Sequence, residues 1–128
     1  PSTVASFFEN ETAEHLSRFS DILLLGHDYA EDLDRLQRLL QLAETANVSL
    51  DGKAFPRIGA IGSRSKWKSF TASCIDVGIQ TATLEQVRCP IGLNIGAESP
   101  EEIAIAVIAE ILSMHKDADV HAPNWRDQ

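Results

Sequence analysis

The chain has 128 residues, of which 44% are hydrophobic and 23% are charged, so it can form one globular domain with a modest core. Its net charge of −8 argues against general binding to nucleic acid or to an anionic membrane surface, because both need a basic protein face. No apolar stretch approaches the roughly 20 residues of a membrane span. The first residues lack the pattern of a secretory signal, and the two cysteines match no metal-binding spacing, so we expect a cytoplasmic protein.

The hydrophobic pattern predicts strands that alternate with helices. Short apolar runs at 21–26 and 57–62 suit strands buried in a parallel sheet. Helices are predicted at 28–47, 63–77, 81–88 and 99–113. This alternation predicts an α/β domain with a small parallel sheet. We treat residues 1–128 as a single domain with its core over about 20–115 and a polar tail at 116–128.

The last predicted helix has the clearest start. Ser99 can cap it, Pro100 suits its first position, and Glu102 completes an S-x-x-E capping box. The preceding segment PIGLNIG contains Gly92 and Gly96, and backbone amides in such a turn can form an anion-binding nest. Ordinary turn formation and capping account for the same residues.

The strongest candidate for a binding site is the segment IGSRSKWK, where the second strand ends at Gly62 and a helix begins. The first amides of a helix have no partner within the helix, and its dipole attracts anions. The hydroxyls of Ser63 and Ser65 can either cap this helix or bind phosphate. The alternative interpretation is that serine caps the helix and nothing binds there.

The charges of this segment favour the anion site. Arg64 and Lys66 lie in the first helical turn, where a cation opposes the helix dipole unless an anion is bound. Residues 51–88 hold 6 of the 11 Lys and Arg residues of the chain but only 3 of its 19 acids. The simpler alternative is that these cations are only solvated.

Two further candidates follow other predicted elements. His27 and Asp28 come after the first strand, at the carboxyl end where open α/β sheets bind ligands. His27 is then an acid–base group or a ligand contact, or else it packs while Asp28 caps the next helix. Cys89 precedes a Pro–Gly turn and is either a reactive thiol, and so a weak candidate for a soft metal ligand, or a small buried residue. We predict no other metal ligand and no catalytic residue.

Three segments are similar to motifs of one known family. RIGAIGSRSKW matches an IGxxGSRxK pattern, and CPIGLNIGAESPEEIAIAVIAEIL matches a PIGLxIGAxTPEEIA pattern, with Ser99 in place of the usual Thr. DILLLGHDYAEDLDRL resembles a strand that ends in THD, with Gly26 where Thr is usual. Over roughly residues 20–113 the chain thus resembles the XdhC/CoxI family, the accessory proteins of xanthine dehydrogenase, carbon monoxide dehydrogenase and related molybdenum hydroxylases.

The resemblance implies a Rossmann-like, three-layer α/β domain that acts as a chaperone and not as an enzyme. It implies binding of the molybdenum cofactor, a phosphorylated pterin, during maturation of a xanthine dehydrogenase-type hydroxylase. The implied partners are that hydroxylase and a cofactor sulfurase. The residues expected to line the cofactor site are His27, Asp28, Gly62, Ser63, Arg64, Ser65, Lys66, Cys89, Gly92 and Gly96.

The chain departs from the family pattern at its start. It lacks the glycine-rich GAGHVA unit that normally opens the family's domain, and it contains no GxGxxG motif. The absence of these motifs argues against NAD(P) binding, so an NAD(P)-binding Rossmann-like oxidoreductase is only the second hypothesis. A non-catalytic dimerisation or docking domain is the third. We also expect a homodimer, because the predicted sheet is too small to be covered by one copy.

Overall fold

The computed structural model describes residues 12–26, 28–123 and 125–127. The chain divides into two compact units, the N-terminal unit (Pro1–Pro90) and the C-terminal unit (Ile91–Gln128). The N-terminal unit contains α1 (Ala13–Leu16), β1 (Asp21–Leu24), α2 (Tyr29–Ala46), β2 (Arg57–Ala60), α3 (Arg64–Asp76) and α4 (Thr81–Leu84). The C-terminal unit contains α5 (Pro100–His115) and a 3-10 turn at Trp125–Asp127.

The sheet of the N-terminal unit is parallel, as predicted. β1 pairs with β2 in a register that runs from Asp21 opposite Arg57 to Leu24 opposite Ala60. Arg88 extends the sheet by a single parallel bridge to Gly59 on the other edge of β2. The α/β class with a small parallel sheet is therefore confirmed.

The two faces of the sheet differ in character because side chains alternate along a strand. Leu24, Ile58 and Ala60 are buried and belong to one core cluster with the apolar faces of α2 and α3. On the opposite face, the guanidinium of Arg57 donates to both carboxylate oxygens of Asp21 at 2.9 and 3.1 Å. This paired, two-point contact fixes the register at the amino end of the strands.

Helix α2 follows the predicted pattern closely. The Asp28 side chain caps it by accepting a hydrogen bond from the Glu31 amide at 3.0 Å, so the capping interpretation of Asp28 is confirmed. The helix ends at Ala46 and is followed by the cap residue Asn47, which adopts a left-handed conformation with φ of 55°. The buried apolar residues at helical spacing are Leu36, Leu39, Leu40 and Ala43.

Helix α3 departs from the prediction at its end. Phe70 and Cys74 are buried, and Trp67 packs against the core while partly exposed. Val77, the last residue of the predicted helix, is 51% exposed. The prediction is one residue too long because the helix ends at Asp76 and the chain then turns at Gly78, whose φ is +94°.

Several hydrogen bonds between successive β-α segments of the N-terminal unit share one sequence separation. Hydrogen bonds that span 36 residues join Asp21 to Arg57, Gln37 to Ser73 and Leu50 to Gln86. The register of β1 on β2 has the same offset. The second β-α segment, β2 and α3, therefore lies beside the first, β1 and α2, with the same sequence offset in the strands and in the helices.

The C-terminal unit is built on α5. Ser99 and Glu102 form the predicted capping box, and Pro100 occupies the first turn. The segment before the helix lies against it, since the Leu93 amide donates to the Ala106 carbonyl at 3.1 Å.

Only part of the apolar face of α5 is buried. Val107 is buried, together with Ala106, and Ile103 and Ile111 are partly exposed. Ile108 and Leu112 are 65% and 53% exposed. None of the helices in the described part of the chain has both the length and the apolar character that crossing a membrane requires.

Candidate functional site at the carboxyl ends of the strands

Three segments of the N-terminal unit leave the sheet at one edge. Residues 25 and 26 follow β1 and lead to Asp28, residues 61–63 follow β2, and Cys89 follows the bridging residue Arg88. The carboxyl ends of parallel strands meet at the same edge, which is where open α/β sheets bind ligands. Most of the predicted site residues of this unit, Asp28, Gly62–Lys66 and Cys89, are on this edge, while His27 lies outside the described residues.

The start of α3 has donors that its own side chains do not use. Ser63 caps the helix by accepting from the Lys66 amide at 3.1 Å. In an α-helix the amides of the next two residues, here Arg64 and Ser65, have no partner within the helix. Arg64 and Ser65 are both exposed, and no acid lies in the first turn. This helix start is therefore arranged to accept an anion from outside.

Lys66 is placed differently from Arg64. Its Nζ lies 3.7 Å from a carboxylate oxygen of Asp32 and donates to the Ile61 carbonyl at 3.3 Å. It also lies 5.2 Å from the centre of the Phe70 ring. The side chain of Lys66 is only 20% exposed. The positive charge of Lys66 is thus already balanced inside the protein.

Asp32 is the buried partner of this cation, with 1% of its surface exposed. One of its oxygens accepts from the Gly26 amide at 2.8 Å, and the other lies 3.4 Å from the guanidinium of Arg35. Asp32 is not among the site residues predicted from the sequence. Its position four residues before the buried Leu36 was the available signal, because this spacing places both residues on the apolar face.

Two glycines make room for the Lys66 side chain. A Cβ on Gly62 would lie 2.9 Å from Cδ of Lys66, and a Cβ on Gly26 would lie 3.2 Å from its Nζ. Gly26 also has a φ of +75°, which favours glycine. The turns after β1 and β2 therefore both contact the same lysine.

Cys89 packs against the core and is partly buried. Burial raises the pKa of the Cys89 thiol above its usual value, while the nearby charge of Lys66 acts in the opposite direction. A thiol with a raised pKa is protonated at neutral pH, which favours the packing interpretation over a thiolate ligand. Within residues 12–26, 28–123 and 125–127, no group of three or more His, Cys, Asp or Glu side chains is placed to hold a metal ion.

Comparison with known proteins identifies the family. A family model described as the XdhC Rossmann domain matches residues 2–111. The chain belongs to this family. The fold is also similar to that of a xanthine dehydrogenase from Bacillus halodurans, with a TM-score of 0.51 and 23% identity over 80% of this chain.

Two curated proteins contain segments similar to this XdhC domain. One is the uncharacterized protein YqeB of Escherichia coli, 39% identical over 61 residues, or 48% of this chain. The other is a probable xanthine dehydrogenase subunit of Bacillus subtilis, 63% identical over 27 residues, or 21% of this chain. The matched parts are 11% and 8% of those two proteins and 25% of the solved chain.

The remaining predicted residues, Gly92 and Gly96, lie in the C-terminal unit of the XdhC domain. The Gly92 amide donates to a carboxylate oxygen of Glu110 at 2.8 Å. The amides of Glu98 and Ser99 donate to a carboxylate oxygen of Glu102 at 2.9 and 3.3 Å. The amides of Gly92, Glu98 and Ser99 already bind carboxylates of α5, as turn formation and capping require, and Gly96 adopts a left-handed turn conformation with φ of +74°.

The N-terminal unit also has a polar hollow of about 270 Å³ at the C-terminal end of α2. A carboxylate oxygen of Glu44 on its wall accepts from the Gln80 amide at 2.8 Å and from the Thr83 hydroxyl at 2.7 Å. The Glu44 carboxylate thus satisfies two hydrogen-bond donors at the start of α4. The C-terminal end of α2 is at the amino edge of the sheet, opposite the candidate site, because α2 returns the chain from one strand to the start of the next.

Proposed function

We propose that this XdhC domain binds the molybdenum cofactor through its phosphate at the start of α3 and assists maturation of xanthine dehydrogenase-type molybdenum hydroxylases. The observation that carries the proposal is the first turn of α3, which has no acid and presents the exposed Arg64 at the carboxyl edge of the sheet. Membership of the XdhC family supports the choice of cofactor and of target enzyme.

The residues at this edge fit a phosphate group. The amides of Arg64 and Ser65 and the hydroxyl of Ser65 are donors, and the guanidinium of Arg64 can bind two phosphate oxygens at once. Lys66 contributes less, because Asp32 lies beside its ammonium group. The cofactor supplies the redox chemistry of the hydroxylase, and the role proposed for this chain is to hold and protect it.

The proposed partners are the molybdenum hydroxylase and a cofactor sulfurase. Similarity to a probable xanthine dehydrogenase subunit supports the first of these. The sulfurase and a homodimer remain predictions of the family resemblance and of the small sheet.

Binding of NAD(P) is the alternative that shares phosphate chemistry with this proposal. A dinucleotide fold of the usual kind offers amides of a glycine-rich turn after its first strand. Here the Gly26 amide of that turn donates to Asp32, so it is already used. The nicotinamide nucleotides therefore serve as competing ligands in the test.

The proposal is tested by titrating the 128-residue chain with purified molybdenum cofactor, beside NAD(H) and NADP(H). We expect saturable binding of the cofactor and a loss of about tenfold or more in Arg64→Ala, because a charge-assisted hydrogen bond contributes about 1.5–3 kcal/mol. Lys53→Ala is the matched control, since Lys53 is exposed in the loop before β2 and so at the other edge of the sheet.

Three outcomes of this titration count against the proposal. Binding of a nicotinamide nucleotide alone supports the oxidoreductase hypothesis. Equal losses in Arg64→Ala and Lys53→Ala place the phosphate elsewhere. No binding by the wild type rejects cofactor binding by this chain.

A further inference from the structure

We infer that Lys66 is a positioning residue of the candidate site and that Arg64 is the cation that contacts the ligand. The inference rests on the proposed function and assigns different roles to two cations of one basic segment. Lys66 acts through Asp32: it balances the buried carboxylate and holds the turn after β1 beside the start of α3.

The first argument is the charge balance around Asp32. This carboxylate is 1% exposed, and a buried charge is strongly unfavourable unless it is paired and hydrogen-bonded. Its partners are Lys66, Arg35 and the Gly26 amide. The guanidinium of Arg35 also pairs with Glu31, whose carboxylate oxygen lies 3.7 Å away. Lys66 therefore supplies much of the positive charge that compensates the Asp32 carboxylate. A ligand that attracted Lys66 away would have to replace that compensation.

The second argument is the path of the Lys66 side chain. Its stem lies over Gly62, its ammonium group lies beside Gly26, and the same group donates to the carbonyl of Ile61. One side chain on α3 thus contacts the turns that follow both strands. Removing its charge should loosen the Gly26 turn and change the shape of the site without removing a ligand contact, although Tyr29 still contacts Ser69 and Phe70 of α3.

The third argument is the contrast with Arg64. Arg64 is exposed and makes no ion pair with any described residue, although it is only two positions from Lys66. Residues i and i+2 of a helix point in different directions. Arg64 therefore has the freedom to approach a ligand that Lys66 lacks.

The test is a double-mutant cycle read by affinity for purified molybdenum cofactor. Its variants are Lys66→Met, Arg64→Ala, Asp32→Asn, and Asp32→Asn combined with each of the other two. Met keeps the length of the stem and Asn keeps an acceptor for the Gly26 amide, so Asp32→Asn/Lys66→Met removes both charges of the pair and leaves the space filled. We expect Lys66→Met to lose about fivefold or more in affinity. Adding Asp32→Asn should return it to within about twofold of the wild type.

Arg64→Ala provides the matched comparison. Asp32→Asn should change the affinity of Arg64→Ala by the same factor, within about twofold, as it changes that of the wild type. If Asp32→Asn acts on Lys66→Met and Arg64→Ala alike, both cations contact the ligand and the inference is wrong.

A measurement without ligand separates this inference from the proposed function. Hydrogen exchange of the Gly26 amide, followed by NMR, should accelerate about fivefold or more in Lys66→Met and remain unchanged in Arg64→Ala. Equal exchange in the two variants overturns the positioning role. If the wild type binds no cofactor, the proposed function fails, and the exchange rates still decide what Lys66 does.

Discussion

Helices α3 and α5 begin in the same way but carry opposite charges in their first turns. Each has a serine cap whose hydroxyl accepts a hydrogen bond at 3.1 Å from the amide three residues later, at Lys66 and at Glu102. The first turn of α5 contains Glu101 and Glu102, whereas that of α3 contains no acid. The two helix starts are therefore capped alike but differ in the charge of their first turns.

The difference lies in where the compensating negative charge comes from. In α5 the Glu102 carboxylate accepts from the amides of Glu98 and Ser99, so the helix supplies its own anion. In α3 the cation Lys66 is balanced from another helix by Asp32, and Arg64 is left exposed. A glycine-rich turn followed by a capped helix is thus a candidate site only where the chain does not provide the anion itself.

The largest effect on stability is expected at Asp32. Asp32→Ala removes the acceptor of the Gly26 amide and the partner of Lys66, so it should lower the free energy of unfolding by about 2–3 kcal/mol. Asp34→Ala is the control, because Asp34 lies on the same helix in a half-exposed pair with Arg38 and should cost under about 1 kcal/mol. Urea denaturation measures both. Similar costs would show that α3 does not depend on Asp32.

Supplying α3 with an acid of its own should make it resemble α5. Ser65→Glu places a carboxylate in the first turn, so it should stabilise the fold by about 0.3–1 kcal/mol while weakening binding of the molybdenum cofactor about tenfold. Ala72→Glu adds the same charge at an exposed position in the body of α3 and serves as control. Stability comes from urea denaturation and affinity from titration. A Ser65→Glu variant that binds like Ala72→Glu would place the anion away from this helix.

The smallest effect is expected from pH at the start of α5. Hydrogen bonds from the Glu98 amide and then the Ser99 amide lower the pKa of Glu102 below its usual 4.5. The stabilisation is therefore complete above pH of about 4.5 and is lost as pH falls through the lowered pKa. NMR signals of both amides should titrate with that pKa, and Glu102→Gln should abolish the titration. The Lys66 amide at the start of α3 should not titrate in this range, because its acceptor is a hydroxyl.

Much of the fold follows from local patterns in the sequence. The apolar spacing of α2, the capping signals at Asp28 and Ser99, and the parallel pairing of two short apolar runs were all predicted from the sequence. Both strands end two residues earlier than predicted, at Leu24 and Ala60, because the glycine that closes each run belongs to the following turn.

The charges of the candidate site were less predictable. Arg64 and Lys66 are equivalent in the sequence, since both are cations in one helical turn. Their difference arises from Asp32, which lies on another helix 34 positions before Lys66 and pairs with Lys66 but not with Arg64. Helical spacing placed Asp32 on the apolar face, but which cation meets it depends on how α2 and α3 pack. Local patterns do not contain that information.

The separation of 36 residues between the paired positions of β1 and β2 also bears on how the chain folds. Pairing β1 with β2 requires a loop of that length to close, and its entropic cost must be met before the strands gain any hydrogen bond. Helix α2 has 18 residues and, at about 1.5 Å per residue, takes up half of this connection as a rod of roughly 27 Å. We therefore expect α2 to form before the strands pair, so that substitutions on its buried face slow folding, whereas loss of the Asp21–Arg57 contact mainly accelerates unfolding.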